Sequence, residues 1–199
     1  MSRNKRNIIL IGFMRSGKTT LGIRLSYRLR RPLLDTDRWI EKEQGMSVSD
    51  IFATYGEEGF RQLETQAVKS LLEADPGQVI STGGGLPMRE ENQALLKQLG
   101  FVVFLRIRPE TVCERLKGDT TRPLLQKPDP EGEIRRLLAV RNPIYEQAAD
   151  RVVDVDGKDF EELLEEILDG TDIQPEGRLN ENTCNYGPNL NFLGIREKN

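Results

Sequence analysis

Residues 12–19 read G-F-M-R-S-G-K-T and fit the pattern G-x-x-x-x-G-K-T, which is typical of a loop that cradles nucleotide phosphates. The context agrees, because the apolar run 8–11 predicts a buried parallel strand and residues 20–29 predict a helix. Backbone N–H groups of the loop and of the helix N-terminus then point at the phosphates, where the helix dipole favours negative charge. The alternative is a glycine-containing turn that matches by chance. Given the flanking strand and helix, we predict that the chain binds a nucleoside triphosphate.

Two side chains of this loop are predicted to reach the reacting end of the nucleotide. Lys18 would contact the β- and γ-phosphates, and the Thr19 hydroxyl would ligate Mg²⁺. The predicted nucleotide-binding residues of the segment are Gly12, Arg15, Ser16, Gly17, Lys18, Thr19 and Thr20.

Composition favours a cytoplasmic enzyme. The chain has 199 residues, of which 37% are hydrophobic and 31% charged, and these values fit one globular domain with a substantial core. A net charge of −3 gives no overall basic field, so we expect no nucleic-acid partner. No apolar run approaches the ~20 residues of a membrane span, and the N-terminus lacks a secretory cleavage pattern. Cys113 and Cys184 are explained as reduced thiols. We also expect the protein to be a monomer without a membrane partner.

Predicted strands alternate with predicted helices along most of the chain. The strands are 8–11, 33–34, 79–81, 101–105 and 152–155. The helices are 20–29, 48–74 with a break near Gly56, 90–99, 109–116, 133–141 and one that Asp159 and Glu162 cap. Ser47 with Asp50 predicts the start of the second of these helices, and Pro109 suits the first position of the fourth. This pattern predicts an α/β fold with a five-stranded parallel sheet flanked by helices. In such sheets ligands bind beyond the carboxyl ends of the strands.

Two carboxylates follow the second predicted strand, in Asp35-Thr36-Asp37. The chain contains no histidine, so general-base chemistry must depend on groups such as these. In an extended chain, residues at period-2 spacing face the same way, and both carboxylates could look into the cleft. One could organise Mg²⁺ through water, and the other could accept a proton from an attacking hydroxyl. The alternative is a solvated turn in which Asp37 caps a following helix.

Glycines and arginines complete the candidate site. Gly83-Gly84-Gly85 follows a predicted strand and suits a place where a ligand approaches the backbone closely, although a flexible turn is the alternative. Arg61 has Glu64 as a possible partner three residues on, and Arg122 lies in the turn-rich segment 118–130. Arg115 and Arg141 are further candidates, although each arginine taken singly is more often a surface residue. A mobile segment could carry Arg122 onto the transferring phosphoryl group.

Taken in order, these motifs resemble those of the shikimate kinases, small P-loop phosphotransferases of the nucleoside-monophosphate-kinase-like group. The resemblance covers residues 7–168 and includes the segments 12–20, 34–37, 60–64, 82–85, 121–125 and 141–145. Several kinase families share the phosphate loop. The Asp-x-Asp, Phe-Arg-x-x-Glu and triple-glycine motifs in this order are together far more specific.

The resemblance implies phosphoryl transfer from ATP to the 3-hydroxyl of shikimate, giving shikimate 3-phosphate and ADP, in aromatic amino acid biosynthesis. It also implies a lid and a shikimate-binding subdomain. The implied substrate residues are Asp37 as hydroxyl ligand and candidate base, Arg61 and Arg141 at the carboxylate, and Gly83, Gly84 and Gly85 opposite them. The implied nucleotide residues are Lys18, Arg122 from the lid, Arg115 against adenine, and Asp35, which would organise Mg²⁺ through water.

One position departs from the family pattern. Arg15 stands where the phosphate loop of the family often has glycine. If the backbone there needs a positive φ, a bulky residue would change nucleotide affinity. We expect this difference to affect the rate and not the class of reaction.

The end of the chain differs from the rest. We predict a kinase-like domain over 1–169, a linker over 170–184 and a tail over 185–199. The tail resembles the opening active-site segment of type II 3-dehydroquinate dehydratases, without the apolar strand expected before it. The alternative is a disordered asparagine-rich segment, and a piece this short cannot form a core in either case. We predict no dehydratase activity.

Other functions share parts of this pattern. A kinase of gluconate or of a nucleoside monophosphate would also have the phosphate loop and the lid, and gluconate is itself a carboxylate. A non-catalytic nucleotide-binding module would leave Asp37, Arg61 and Arg141 without a purpose. A panel of acceptor substrates separates these alternatives.

Overall fold

The computed structural model describes residues 6–117 and 128–173, and within them strands and helices alternate. The strands are β1 (Asn7–Ile11), β2 (Leu33–Asp35), β3 (Val79–Ser81), β4 (Gly100–Arg106) and β5 (Arg151–Asp154). The helices are α1 (Lys18–Leu29), α2 (Thr36–Gln44), α3 (Val48–Glu73), α4 (Glu90–Leu99), α5 (Pro109–Leu116), α6 (Pro130–Ala148) and α7 (Phe160–Leu168). A 3₁₀ turn lies at Leu86–Met88.

The strands form one parallel sheet in the order β2-β3-β1-β4-β5. All five residues of β1 are buried, so the central strand is covered on both faces. That is the usual state of a parallel sheet, because its crossover helices pack on both sides. The predicted α/β fold with a five-stranded parallel sheet is confirmed.

The strand register brings three candidate segments to one edge of the sheet. Leu10 of β1 pairs with Ser81 of β3, and Ser81 also pairs with Asp35 of β2. The phosphate loop after β1, the acidic pair at the end of β2 and the glycines after β3 therefore leave the sheet side by side. This is the edge where parallel sheets bind ligands.

Most helix ends lie where local signals predict them. Ser47 accepts a hydrogen bond from the Asp50 N–H, and Asp159 and Glu162 form a reciprocal capping box. Pro109 opens α5, where its missing N–H costs nothing. Gly56 has a φ of 69° and interrupts α3, as the predicted break requires.

Helix α6 is longer than predicted. The predicted helix runs from residue 133 to 141, whereas α6 begins at Pro130 and continues through Pro143 to Ala148. A proline inside a helix removes one hydrogen bond and strains the preceding turn. The turn after it carries Tyr145 and Ala148, both fully buried, and their burial in the core outweighs that local cost.

Several predictions fall on residues beyond the described ranges. Arg122, Cys184 and the tail 185–199 lie outside the described residues, so the lid assignment, the tail resemblance and the domain boundaries stay predictions. Among the helices of 6–117 and 128–173, none has the length and apolar character needed to cross a bilayer.

Candidate active site

The phosphate loop connects β1 to α1 through backbone conformations that few residues adopt. Gly12 has a φ of 145° and Gly17 a φ of 95°. A Cβ on Gly12 would lie 2.7 Å from the carbonyl oxygen of Leu105, so no larger residue fits there. Helix α1 begins at Lys18, two residues earlier than predicted, directly behind the loop. The N–H groups of the first turn of a helix point towards the loop before it, which is where phosphate oxygens bind.

Arg15 adopts the positive φ that the sequence analysis raised as a question. Its φ is 62°, in the left-handed region that costs a side-chain-bearing residue more than glycine. Its carbonyl oxygen accepts a hydrogen bond of 2.9 Å from Nη1 of Arg115. The two predicted nucleotide residues Arg15 and Arg115 are thus in contact, and α5 supports the phosphate loop.

Lys18 lies over the loop. Its Nζ donates to the carbonyl oxygens of Gly12 and Phe13, at 2.9 and 2.8 Å. The Ser16 hydroxyl is buried in the same loop and has no hydrogen-bond partner within the described residues. A buried hydroxyl without a partner is costly, so a ligand oxygen at this point would satisfy it. The loop therefore combines an ammonium group, an unpaired hydroxyl and a helix N-terminus.

Thr19 and Asp35 meet beside the loop. The Thr19 hydroxyl donates to Oδ2 of Asp35 at 3.4 Å, while Oδ1 of Asp35 accepts the N–H groups of Asp37 and Arg38. These two oxygen groups fit Mg²⁺, which prefers oxygen ligands and usually keeps several waters and substrate phosphates. Within the described ranges no group of three or more His, Cys, Asp or Glu side chains forms a metal site by itself.

The period-2 argument for the acidic pair is wrong. Only Asp35 belongs to β2, because its side chain caps α2 and the chain becomes helical at Thr36. Asp35, and not Asp37, is the N-cap. Asp37 lies in the first helical turn, and from there its side chain faces the glycine segment. The two carboxylates still lie at the same edge of the sheet, Asp35 beside Thr19 and Asp37 beside Gly83, for a reason that differs from the predicted one.

The glycine segment 83–85 is surrounded by the candidate residues. A Cβ on Gly83 would overlap Oδ1 of Asp37 and lie 2.9 Å from Oε1 of Glu64. A Cβ on Gly85 would overlap the guanidinium group of Arg61. None of the three glycines has a positive φ, so their small size and not their backbone freedom is what this position requires. The expected close approach is made by protein side chains already in place.

Asp37 is poised to accept a proton. Burial, together with the negative charge of Asp35, raises its pKa to about 6, although Lys18 and Arg61 oppose the shift. Its Oδ1 is buried and has no partner within the described residues. At neutral pH the group is mostly ionised, and an unpaired buried carboxylate oxygen is a strong acceptor for a ligand hydroxyl.

Glu64 holds Arg61 in place. Its Oε2 accepts a hydrogen bond of 2.6 Å from Nη1 of Arg61, and Nη2 of Arg61 is paired with Glu57 at 3.0 Å. Burial raises the pKa of Glu64 to about 7 against the lowering effect of Arg61. Oε1 of Glu64 has no partner within the described residues and faces Gly83. Glu64 was expected only as a partner of Arg61, and its second oxygen turned towards the cleft could not be read from the sequence.

Arg141 reaches the same cleft from α6. Its guanidinium lies over the ring of Phe13 in the phosphate loop, at 5.7 Å from the centroid. Arg141 and Arg61 both lie close enough to lower the pKa of the Tyr145 hydroxyl, which is raised to about 12 mainly by burial. Two cations from different helices thus face one buried hydroxyl beside the glycine segment.

The structure therefore brings the predicted residues together, with Arg122 outside the described part. The residues predicted to bind the nucleotide are Gly12, Arg15, Ser16, Gly17, Lys18, Thr19, Thr20 and Arg115. The residues predicted to bind the acceptor are Asp37, Arg61, Gly83, Gly84, Gly85 and Arg141, and Asp35 is the predicted metal residue.

Comparison with known proteins decides the family. The family model described as Shikimate kinase matches residues 14–171. The chain belongs to the shikimate kinase family. A shikimate kinase of Symbiobacterium thermophilum is 46% identical over 165 residues, covering 82% of this chain and 94% of the relative. A shikimate kinase of Neisseria gonorrhoeae is 46% identical over 147 residues, covering 74% and 86%.

Solved structures of the family have the same fold. A shikimate kinase from Acinetobacter baumannii in complex with shikimate aligns with a TM-score of 0.76 at 37% identity, covering 83% of this chain and 92% of that one. A shikimate kinase from Aquifex aeolicus aligns at 0.68 and 41%, covering 81% and 93%. A gluconokinase from Sinorhizobium meliloti aligns at 0.51 with 17% identity, which is a likeness of fold alone. The chain is thus a kinase of the shikimate kinase family, as predicted.

Proposed function

We propose that the chain transfers the γ-phosphoryl group of ATP to the 3-hydroxyl of shikimate, giving shikimate 3-phosphate and ADP. One observation carries this proposal. An unpaired carboxylate oxygen of Asp37 and the guanidinium of Arg61 border the same three glycines, beside the phosphate loop. A proton acceptor, an anion-binding cation and a triphosphate cradle in one cleft match an acceptor that has both a hydroxyl and a carboxylate. Membership of the shikimate kinase family supports that choice of acceptor.

We assign the substrate carboxylate to Arg61 and Arg141. A guanidinium group presents a planar fork of donors that fits a carboxylate. Glu64 and Glu57 fix Arg61, so little side-chain freedom is lost when the substrate binds. A neutral sugar would offer no carboxylate to either guanidinium group, and the site should therefore discriminate against it. Gly83, Gly84 and Gly85 form a wall of the acceptor site that lies directly against Arg61.

We assign the nucleotide to the loop and its neighbours. Backbone N–H groups of residues 12–20 bind the phosphates, Lys18 turns from its loop carbonyls to the β- and γ-phosphates, and Arg115 lies near the base. Arg122 is proposed as the lid cation on the transferring group. Thr19 and Asp35 would hold Mg²⁺, Thr19 directly and Asp35 through water. When bound, the metal ion neutralises charge on the β- and γ-phosphates.

Asp37 is the proposed base. Its raised pKa of about 6 leaves it mostly ionised at neutral pH while keeping it a better proton acceptor than an exposed aspartate. Phosphoryl transfer requires little covalent work from the protein, so the main contributions are in-line positioning and positive charge around the γ-phosphate. Lys18 and Arg122 supply that charge, and closure of the lid would exclude water.

The test is ADP release by the purified full chain with MgATP, in the presence of shikimate, quinate, gluconate or AMP. We expect strong stimulation by shikimate alone, and its loss in Asp37→Asn. Stimulation by gluconate or AMP instead would reject the acceptor, and ATP binding without any stimulation would favour a non-catalytic module. The Asp37→Asn protein should still bind ATP, which separates loss of chemistry from loss of the fold.

The remaining expectations concern the setting of the enzyme. We propose that it acts in the cytoplasm as a monomer, without membrane or nucleic-acid partners. Sedimentation at working concentration tests the monomer. We also propose that the tail 185–199 gives no dehydratase activity, which turnover of 3-dehydroquinate by the purified protein would contradict.

A further inference from the structure

Tyr145 is part of the segment 141–145, in which only Arg141 has so far been given a role. It lies on α6, is fully buried, and packs its ring against Phe104 with the centroids 5.0 Å apart. Its hydroxyl donates a hydrogen bond of 2.6 Å to the carbonyl oxygen of Gly84. A buried tyrosine usually needs such a partner, but this partner is the middle residue of the glycine wall.

The same hydroxyl also lies within the electrostatic influence of Arg141. The two residues are four positions apart on α6, so their side chains share one face of the helix. The positive charge of Arg141 lies close enough to lower the pKa of the Tyr145 hydroxyl. Its guanidinium lies over the ring of Phe13, whose neighbours Gly12 and Met14 adjoin Gly84. A phenol has one proton to donate and lone pairs to accept with. Because the proton goes to Gly84, the lone pairs of Oη remain available to accept a hydrogen bond from a cation on the same face of the helix.

The hydroxyl keeps this direction over the whole working range of pH. Burial raises the pKa of Tyr145 to about 12, so the proton that is donated to Gly84 is always present. The cations Arg141 and Arg61 and the acid Glu64 are the charged groups that act on it.

We propose that Tyr145 is a positioning residue, whose hydroxyl ties the guanidinium of Arg141 to the carbonyl of Gly84 and so sets the geometry of the carboxylate site. This inference rests on the proposed function, in which Arg141 binds the substrate carboxylate. Tyr145 itself touches neither substrate nor nucleotide. It acts by holding a cation from α6 at a defined place relative to the loop after β3.

Gly84 is a suitable point for such a connection. A Cβ on Gly84 would lie 3.4 Å from the carbonyl oxygen of Gly12 and 3.8 Å from the N–H nitrogen of Met14, both in the phosphate loop. The same Cβ would lie 3.9 Å from Oη of Tyr145. The Tyr145 hydroxyl therefore lies where α6, the glycine wall and the phosphate loop meet, and removing it would loosen Arg141 first.

Tyr145→Phe is the direct test, because it removes the hydroxyl and keeps the ring against Phe104. We expect KM for shikimate to rise about tenfold or more, since a hydrogen bond to a charged group is lost. The carboxylate is remote from the reacting hydroxyl, so kcat should change less than about threefold, and KM for ATP should stay the same. The matched control is Tyr27→Phe, a hydroxyl removed from an exposed tyrosine on α1.

Two further variants separate positioning from general loosening. In the Arg141→Ala background, Tyr145→Phe should add almost nothing to the rise in KM, because the residue it positions is gone. Multiplying effects would reject the inference. Arg141→Lys leaves the buried ring untouched and keeps the charge, but it has no planar fork to engage both the carboxylate and Tyr145. It should raise KM about as much as Tyr145→Phe, and a wild-type KM would contradict the proposal even if Tyr145→Phe failed to fold.

Failure of this inference can be told from failure of the proposed function. If Arg141→Ala leaves KM for shikimate unchanged, the assignment of Arg141 to the carboxylate is wrong. If Arg141→Ala raises KM while Tyr145→Phe does not, the assignment stands and the positioning role of Tyr145 is wrong. Thermal unfolding of each variant, measured alongside, checks that the compared proteins are equally folded.

Discussion

Alanine substitutions along the glycine segment test the geometry of the site position by position. Gly83→Ala would place a methyl group onto Oδ1 of Asp37, 3.2 Å from its Cγ and 2.9 Å from Oε1 of Glu64. Ordinary contact begins near 3.4 Å, so Glu64 must withdraw by about 0.5 Å and Asp37 by more. A shift of about 1 Å at a reacting group can cost about 100-fold. We therefore expect kcat to fall by about that factor.

Gly85→Ala should act on the other side of the substrate. Its methyl group would occupy the place of the Arg61 guanidinium, which Glu64 holds at 2.6 Å. Displacing Arg61 costs a charged hydrogen bond of about 1.5–3 kcal/mol, which corresponds to a rise of about 10- to 100-fold in KM for shikimate. Because Arg61 is assigned to the substrate carboxylate and not to the reacting hydroxyl, kcat should fall much less than in Gly83→Ala.

Gly84→Ala is the matched control. Its methyl group would make only ordinary contacts, the nearest at 3.4 Å to the carbonyl oxygen of Gly12. We expect less than about a threefold change in KM for shikimate. Steady-state ADP release at varied shikimate and saturating MgATP measures all three variants. Equal effects at the three positions would refute the reasoning, because they would mean that the segment needs flexibility and not space beside particular side chains.

Three further predictions concern the acid, the phosphate loop and the core. Asp37→Asn should lower kcat by at least about 100-fold. Wild-type kcat/KM should fall as the pH drops through about 6, where Asp37 takes up a proton; a flat profile there would contradict its role. Because the pKa of Asp37 is raised in the folded state, its ionised form lowers the free energy of unfolding, and this effect is complete above about pH 6. Asp37→Asn removes the effect. The variant should therefore gain up to about 3 kcal/mol in unfolding free energy near pH 8 and much less near pH 4. Arg15→Gly should raise the free energy of unfolding by about 0.5–1 kcal/mol, because glycine adopts a φ of 62° without strain. Urea denaturation measures this change. A lower stability of the variant would show that the Arg15 side chain contributes more than the strain costs. Asn7→Ala should lower the free energy of unfolding by about 2–3 kcal/mol, because the buried side-chain amide of Asn7 forms hydrogen bonds of 2.8–2.9 Å with Leu99, Gly77 and Gln78. An unchanged urea midpoint would show that water replaces those hydrogen bonds.

The elements predicted best are those that local signals define. The caps at Ser47 and Asp159, the proline at 109 and the break at Gly56 each depend on chemistry within a few residues, and each was confirmed. The end of α6 depends on where Tyr145 and Ala148 are buried. Nothing near Pro143 in the sequence reports that burial, and the predicted end at Arg141 was therefore wrong.

The candidate site likewise combines features that the local sequence predicts with features that depend on tertiary packing. The motif at 12–19 predicts the position of a phosphate loop, because the pattern itself describes a backbone path. The acidic pair was placed in the cleft for the wrong reason, since the N-cap at Asp35 turns the chain helical and only the helix carries Asp37 to Gly83. The sequence did not settle whether Arg15 has a positive φ, and the structure shows that it does.

The fold class, the order of the strands, the position of the phosphate loop and the family could be predicted from the sequence, because they follow from periodicity and from motifs of consecutive residues. Helix α2 and the surroundings of the glycines depend on the folded chain: Asp37, Glu64 and Arg61 lie on two sides of the segment, and the hydroxyl of Tyr145 lies on the third. Those contacts join residues about 20 to 60 positions apart, and their distances depend on how the whole sheet and its helices pack. The raised pKa values of Asp37 and Glu64 have the same origin, because burial exists only once the chain is folded.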